Sequence, residues 1–445
     1  MKKLLIIIFI LAFAYSYAQI KNEPRIFTLN ECIDIALKNN YDIQLAYSQL
    51  NVNSADITNA FGQFLPTLAY NLGYNRQLNA QGASVINVGG INIPIPATNP
   101  NSYNMNAYAS YTIFNGFNKS ANYKRAQESY EAQELTIQQT QINVKLSVLR
   151  QYIDIIKKSE IVKIRQENIE LGKQLLDRIQ AQYDAGTISI TNLYAQEADL
   201  GNREYELVIS ENDVNVAKTV LLNTMGLSTD IQAEFSESSL PAKIEDDEIT
   251  KFRLNIGGQS NAVNTAFLNR QDYAASKSNI SAAEANVTYS ESGYYPSLSA
   301  SGGYTWSNYQ FTDFSANART FIGLSLSIPI FDNFNTNFRI QSSKVQLKQR
   351  EIESAQLEQT IKTSVQTALL NLESAEKQLD LTKKTQSYAE LNYESFSEKF
   401  KVGTAGITDY QNANNQLITS KINRINAIYT YFQAQKEVLY TIGKL

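Results

Sequence analysis

The chain has 445 residues, of which 18% are charged, with a net charge of −4, no histidine and a single cysteine, Cys32. That balance argues against a nucleic-acid partner. One cysteine excludes an intramolecular disulfide framework, and the lack of histidine removes the commonest metal ligand and general base, so neither an enzyme nor a cofactor or metal site is expected.

The N-terminus carries Lys2 and Lys3, an apolar run from Leu4 to Ala14, and small residues at Ser16 and Ala18. Residues 1–18 therefore read as a removable secretory signal, because the run is well short of the ~20 residues of a spanning helix. The residue directly after the cleavage site is Gln19 and not a cysteine, so no lipid anchor is expected there. The rest of the chain has no apolar run long enough for a spanning helix, which leaves an exported soluble protein or a β-barrel.

A helical segment from Leu29 to Phe64 ends before Pro66. Strand-like alternation follows across a hairpin, 67–113: Leu68, Tyr70, Leu72 and Tyr74 on the way out, then Tyr103, Met105, Ala107, Ala109, Tyr111 and Ile113 on the return. The Gly/Asn/Pro-rich stretch from Asn79 to Asn101 is expected to be an exposed loop. From Phe117 to Tyr183 there is no proline and one interior glycine, Gly172. Ile142, Leu146, Leu149, Ile153 and Ile156 step by four and three, which predicts a long helix in coiled-coil packing. Gly186 then reverses the chain, with Thr187 placed to cap a return helix running to Gly226.

The stretch 228–260, with Pro241, the acidic run Glu245 to Glu248 and Gly257-Gly258, reads as a linker. The same order then recurs over 261–445: a helix to Tyr294, Pro296, a strand hairpin over 297–330, and a long helix with Val365, Ala368, Leu372, Ala375 and Leu379 on one stripe. A reversal at Gly403-Thr404 and a return helix to Gly443 complete it. Phe114 and Phe331, Gly186 and Gly403, and Gly226 and Gly443 all stand 217 residues apart, so residues 19–227 and 261–445 form a duplicated structural unit.

Geometry extends this reading. Each long helical stretch reaches roughly 100 Å at 1.5 Å per residue, several times a bilayer core, so the helices must project away from the membrane. Four strands with one lipid-facing side leave two open edges, which hydrocarbon does not tolerate. Eight strands from two chains would be filled by side chains, whereas twelve from three leave room for a channel, and the polar Asn/Ser/Thr/Gly face favours the trimer.

The order helix, strand pair, long helix, Gly-Thr reversal and return helix, given twice, resembles the TolC family of outer-membrane efflux and secretion channels. The most specific pieces are Lys401-Val402-Gly403-Thr404 with Ile407-Thr408-Asp409, the weaker counterpart Asp184-Ala185-Gly186-Thr187, and the Leu65-Pro66 and Tyr295-Pro296 entries to the strands. The resemblance implies a mainly α protein with a membrane β-barrel portion: a homotrimer in the outer membrane, whose 12-stranded barrel continues as a periplasmic α-helical barrel. It implies an exit duct for small molecules supplied by an inner-membrane transporter through a periplasmic adaptor, with the adaptor docking on Gly186, Thr187, Gly403 and Thr404. It also implies an acidic periplasmic gate, for which Glu394, Glu398 and Asp184 are the candidates. Ala185 departs from the valine that Val402 suggests. Protein secretion through the same duct, or a coiled-coil scaffold with a β-barrel anchor, are the competing functions.

Overall fold

The computed structural model describes residues 25–239 and 244–445, and the expected signal segment 1–18 lies outside them. The chain forms two compact units. One takes in residues up to Tyr47 with Thr136–Asp272 and Leu357–Leu445; the other comprises Ser48–Leu135 and Tyr273–Gln356. Each unit thus draws on both repeats. No helix among the described residues is long and apolar enough to cross a membrane.

The duplication is metrically close. Helices α3 (Asn118–Asp184) and α8 (Asn335–Lys401) both have 67 residues, and the return helices α4 (Ile190–Thr224) and α9 (Ile407–Thr441) both have 35. In α3, Leu146, Leu149, Ile153 and Ile156 are buried, as are Val365, Ala368, Leu372, Ala375 and Leu379 of α8, so the expected stripes form the core seams.

The entry helices differ from the sequence expectation, because each is broken in two. Thr28 and Glu31 cap one another at the start of α1 (Leu29–Asn39), with the Thr28 N–H donating to the Glu31 carboxylate at 2.8 Å. The chain then turns extended at Asn40 before α2 (Tyr41–Gly62). In the second repeat, α6 (Gln259–Asn269) and α7 (Gln271–Glu291) are parted at Arg270 in the same way. The cause is tertiary. Asn40 Oδ1 accepts from the Asp42 N–H, starting α2, while its Nδ2 donates to the Thr224 carbonyl at the end of α4. Arg270 Nη1 likewise donates to the Thr441 carbonyl at the end of α9. Gly226 (φ 67°) and Gly443 (φ 73°) close those return helices directly against the breaks. A Cβ would stand 2.6 Å from the Asn39 carbonyl oxygen at the first and 2.9 Å from the Asn269 carbonyl carbon at the second.

The stretch 228–260 is more than a linker. It supplies β6 (Ala233–Phe235), which pairs in parallel with β1 (Arg25–Phe27), and helix α5 (Asp246–Ile256). Phe27 stacks on Phe235, and Tyr152 of α3 meets Phe235 edge-on while its hydroxyl donates to the Ser236 carbonyl. Arg253 of α5 grips Glu376 of α8 through Nε and Nη2. Two three-residue strands have no periodicity to reveal them, and their pairing spans nearly half the chain.

In the other unit the strand pairs join into one antiparallel sheet, β2 (Thr67–Arg76), β5 (Asn101–Asn115), β7 (Ser297–Asn308) and β8 (Arg319–Ser327), in the order β2-β5-β7-β8. β8 stops at Ser327, two residues short of Pro329, which has no N–H to give a ladder. The expected 79–101 loop contains its own hairpin, β3 (Ser84–Val88) and β4 (Ile91–Ile95), turned by Gly89-Gly90 at φ 62° and 89°.

Candidate functional site: two helical reversals and a two-faced sheet

Both reversals close by the same glycine geometry. Gly186 sits at φ 74° and Gly403 at φ 76°; the Thr187 N–H donates to the Gln182 carbonyl at 2.9 Å and the Thr404 N–H to that of Lys399 at 2.8 Å. A left-handed residue is required there, yet no atom lies within 4 Å of either glycine's Cβ position, so conformation alone selects glycine. The threonines do not cap the return helices as the sequence suggested. Their hydroxyls donate back to the carbonyls of Gln182 and Lys399, finishing the outgoing helices. The return helix α4 is capped instead by Ser189, which accepts from the Thr191 N–H. At the start of α9 the Gly406 N–H donates to Asp409.

The two reversals share one core. Leu175, Ile179 and Leu193 of the first repeat pack with Tyr410 of the second, flanked by Tyr183, Ile188, Tyr393 and Phe400. Tyr410 stacks on Phe400 and its hydroxyl lies 3.0 Å from that of Tyr393, and burial raises its ionisation above the ordinary phenol range. The acidic residues are solvent-exposed: Glu398 pairs with Lys401 at 2.7 Å, Asp184 accepts from Gln180, and Glu394 has no ion pair among the described residues.

Sequence reasoning missed a buried polar network behind these tips. Arg203 of α4 reaches Asp199 one turn away, the Asn168 carbonyl at 2.8 Å and Asn168 Oδ1 at 2.9 Å. Asn414 of α9 donates to that same Oδ1, and Gln411 to Gln196. The available signal was Gly172, the lone glycine inside α3. A Cβ there would stand 3.2 Å from Arg203 Cδ, so the glycine makes room for the guanidinium stem.

The sheet has two chemically distinct faces. Register places Leu72, Met105 and Trp306 in one row, Leu68, Ala109, Gly302 and Ile322 in another, and Tyr111, Ala300 and Leu324 in a third, all on one face. The opposite face carries Asn71, Asn106 and Thr305, then Ser110, Ser301 and Gly323. A bulge between Thr112 and Phe114 sets Phe114, rather than the expected Ile113, opposite Leu298. Aromatic side chains gather at both ends of the strands. At one end Tyr74, Tyr103, Phe311, Trp306 and Phe314 are linked ring to ring at 4.9–6.0 Å; at the other Phe114 meets Phe117, and Phe331 meets Phe334, each at 5.5 Å. Phe117 and Phe334 hold φ near +65°, a costly conformation for phenylalanine, repeated at both strand-to-helix junctions. An apolar band between two aromatic girdles is the pattern of a membrane β-barrel wall.

The family model described as outer membrane efflux protein matches residues 32–227 and 262–444. The chain belongs to the outer membrane efflux protein family. Among curated relatives of this efflux protein, the outer membrane efflux protein BepC of Brucella suis biovar 1 is 23% identical over 338 residues, covering 75% of this chain and 70% of that protein. The outer membrane protein TolC of Vibrio cholerae is 21% identical, covering 94% and 91%. The solved structures of the CusC channel (TM-score 0.78, 15% identity, 96% of each chain) and of the Campylobacter jejuni CmeC channel (0.78, 18%, 94% of this chain and 85% of that one) share its fold. Membership makes the chain an outer-membrane protein of an efflux family, not of an enzyme class.

Proposed function

We propose that three copies of this chain close a 12-stranded outer-membrane barrel and a helical duct continuous with it, forming the exit of a tripartite efflux system. An inner-membrane transporter supplies the energy and the small-molecule cargo, and a periplasmic adaptor docks on Gly186, Thr187, Gly403 and Thr404. The chain supplies a wall and no chemistry. The observation that carries this reading is the sheet itself: among the described residues β2 and β8 each have one hydrogen-bonded neighbour, and one face is apolar through the middle of the strands, so in lipid the edges must pair with those of other copies. Twelve strands leave a lumen lined by the polar face. Native mass measurement of the protein in lipid nanodiscs is expected to give three chains. A monomer with full β-content would overturn the proposal.

Threefold symmetry would gather Glu394 and Glu398 as six carboxylates around the narrow end, with Asp184 near them. Because Lys401 already offsets Glu398, Glu394 is expected to contribute most of the local negative potential. Glu394→Gln should therefore lower the preference for cations over anions severalfold in bilayer recordings, and adding Glu398→Gln should lower it only slightly more. Unchanged selectivity and divalent-cation block in the double variant would place these residues on the outer surface.

A further inference from the structure

The polar face of the sheet is interrupted at one level. Ala69, Tyr108, Gly303 and Phe321 form a single cross-strand row, and Tyr108 and Phe321 are each 43% exposed. A Cβ on Gly303 would stand 3.0 Å from Tyr108 Cβ and 3.1 Å from Phe321 Cε1. The two aromatic side chains therefore meet the bare glycine from either side and make an apolar shelf three strands wide, among rows of Asn, Ser, Thr and Gly. The Tyr108 hydroxyl makes no hydrogen bond among the described residues.

One row further along, on the same face and about 7 Å away, stands Arg319, opposite Thr305. It is exposed, has no ion pair among the described residues, and is the only charged side chain on the polar face; the four strands contain no carboxylate and no lysine. The nearby loop acid, Asp313, makes no ion pair among the described residues, and its backbone carbonyl accepts from Trp306 Nε1 at 3.0 Å. An unpaired guanidinium beside an aromatic shelf matches one ligand chemistry. The fork of N–H groups takes a carboxylate, sulfonate or phosphate, and the rings take an apolar or aromatic body.

We propose that Arg319, Phe321 and Tyr108 form a binding station on the lumenal wall of the barrel for organic anions with an aromatic or otherwise apolar body. The proposal rests on the duct reading above and names the cargo chemistry that its outer segment favours. Threefold symmetry places three guanidinium groups and a belt of six rings at adjacent levels of the lumen, which draws anions and repels cations there.

The test uses the full chain in planar bilayers with 2-naphthalenesulfonate added on the barrel side. The expected result is concentration-dependent block of wild-type current, with the half-blocking concentration raised about tenfold by Arg319→Gln and by Phe321→Ser. Arg319→Lys should weaken block less than Arg319→Gln, methanesulfonate should block far more weakly, and 2-naphthyltrimethylammonium should not block. Should Phe321→Ser fail to assemble, Tyr108→Ser carries the aromatic arm of the test. Equal block in wild type and both variants, or equal block by the naphthyl cation, overturns the station while leaving the duct intact; a conducting channel with no block does the same. A trimeric wild type that passes no current overturns the duct and the station together.

Discussion

Replacing Gly226 or Gly443 by valine is expected to destabilise the folded chain by about 3–5 kcal/mol, against about 1–2 kcal/mol for the same change at Gly186 or Gly403. All four glycines hold nearly the same left-handed backbone, φ 67–76°, so the cost of forcing an L side chain into that region is shared. The difference is space. A Cβ at Gly226 or Gly443 would press on the backbone at Asn39 or Asn269, and backbone cannot step aside as a side chain can, whereas a Cβ at either tip glycine would meet nothing within 4 Å. Chemical unfolding should separate the two pairs. Export should divide the other way: valine at both tips is expected to leave assembly intact and abolish export, because those positions form the proposed docking surface. Equal destabilisation at all four sites would show that packing against the helix breaks has no energetic weight, and normal export in both tip variants would remove the tips as docking sites.

Leu324→Arg should prevent stable barrel formation, while Ser325→Arg, one residue along, should be tolerated. Leu324 lies in the middle of β8 on the face shared with Tyr111 and Ala300, and Ser325 on the face shared with Ser299. An arginine facing lipid near the bilayer midplane costs about 2–4 kcal/mol, repeated in every copy, whereas one facing a water-filled lumen keeps its hydration. The measurement is the amount of folded trimer recovered from outer membranes. Equal recovery of the two variants, or loss of the serine variant alone, would reverse the assignment of faces.

The sequence made the large elements legible for identifiable reasons. Period-two alternation marks Leu68 to Tyr74 and Ile322 to Leu326, the three-and-four spacing of Val365 to Leu379 marks a buried seam, and Gly186 and Gly403 punctuate where backbone conformation requires it. What stayed hidden depends on contacts between distant segments. The breaks at Asn40 and Arg270 are imposed by the ends of α4 and α9, not by any local helix breaker. The β1 and β6 strands are too short to show a period. Alternation also cannot report a bulge, which is why Phe114 rather than Ile113 completes the apolar row. The polar network around Arg203 is invisible to hydrophobic periodicity, although Gly172, an otherwise costly residue in a long helix, pointed toward it. The tip acids were legible as charges near a reversal, and the three-residue spacing of Glu398 and Lys401 already allowed the pair that the structure shows.

The central claim, that the polar face of the sheet lines a conducting lumen, is tested most directly by single-channel current through a Ser325→Cys channel before and after an impermeant cationic methanethiosulfonate. Native Cys32 gives a silent background, because it is buried and its desolvated thiol is pushed up to about 12, leaving almost no reactive thiolate near neutral pH. Modification should lower the current stepwise in Ser325→Cys and leave both wild type and Leu324→Cys unchanged. Current that falls in Leu324→Cys but not in Ser325→Cys, or a trimer that carries no current at all, would contradict it.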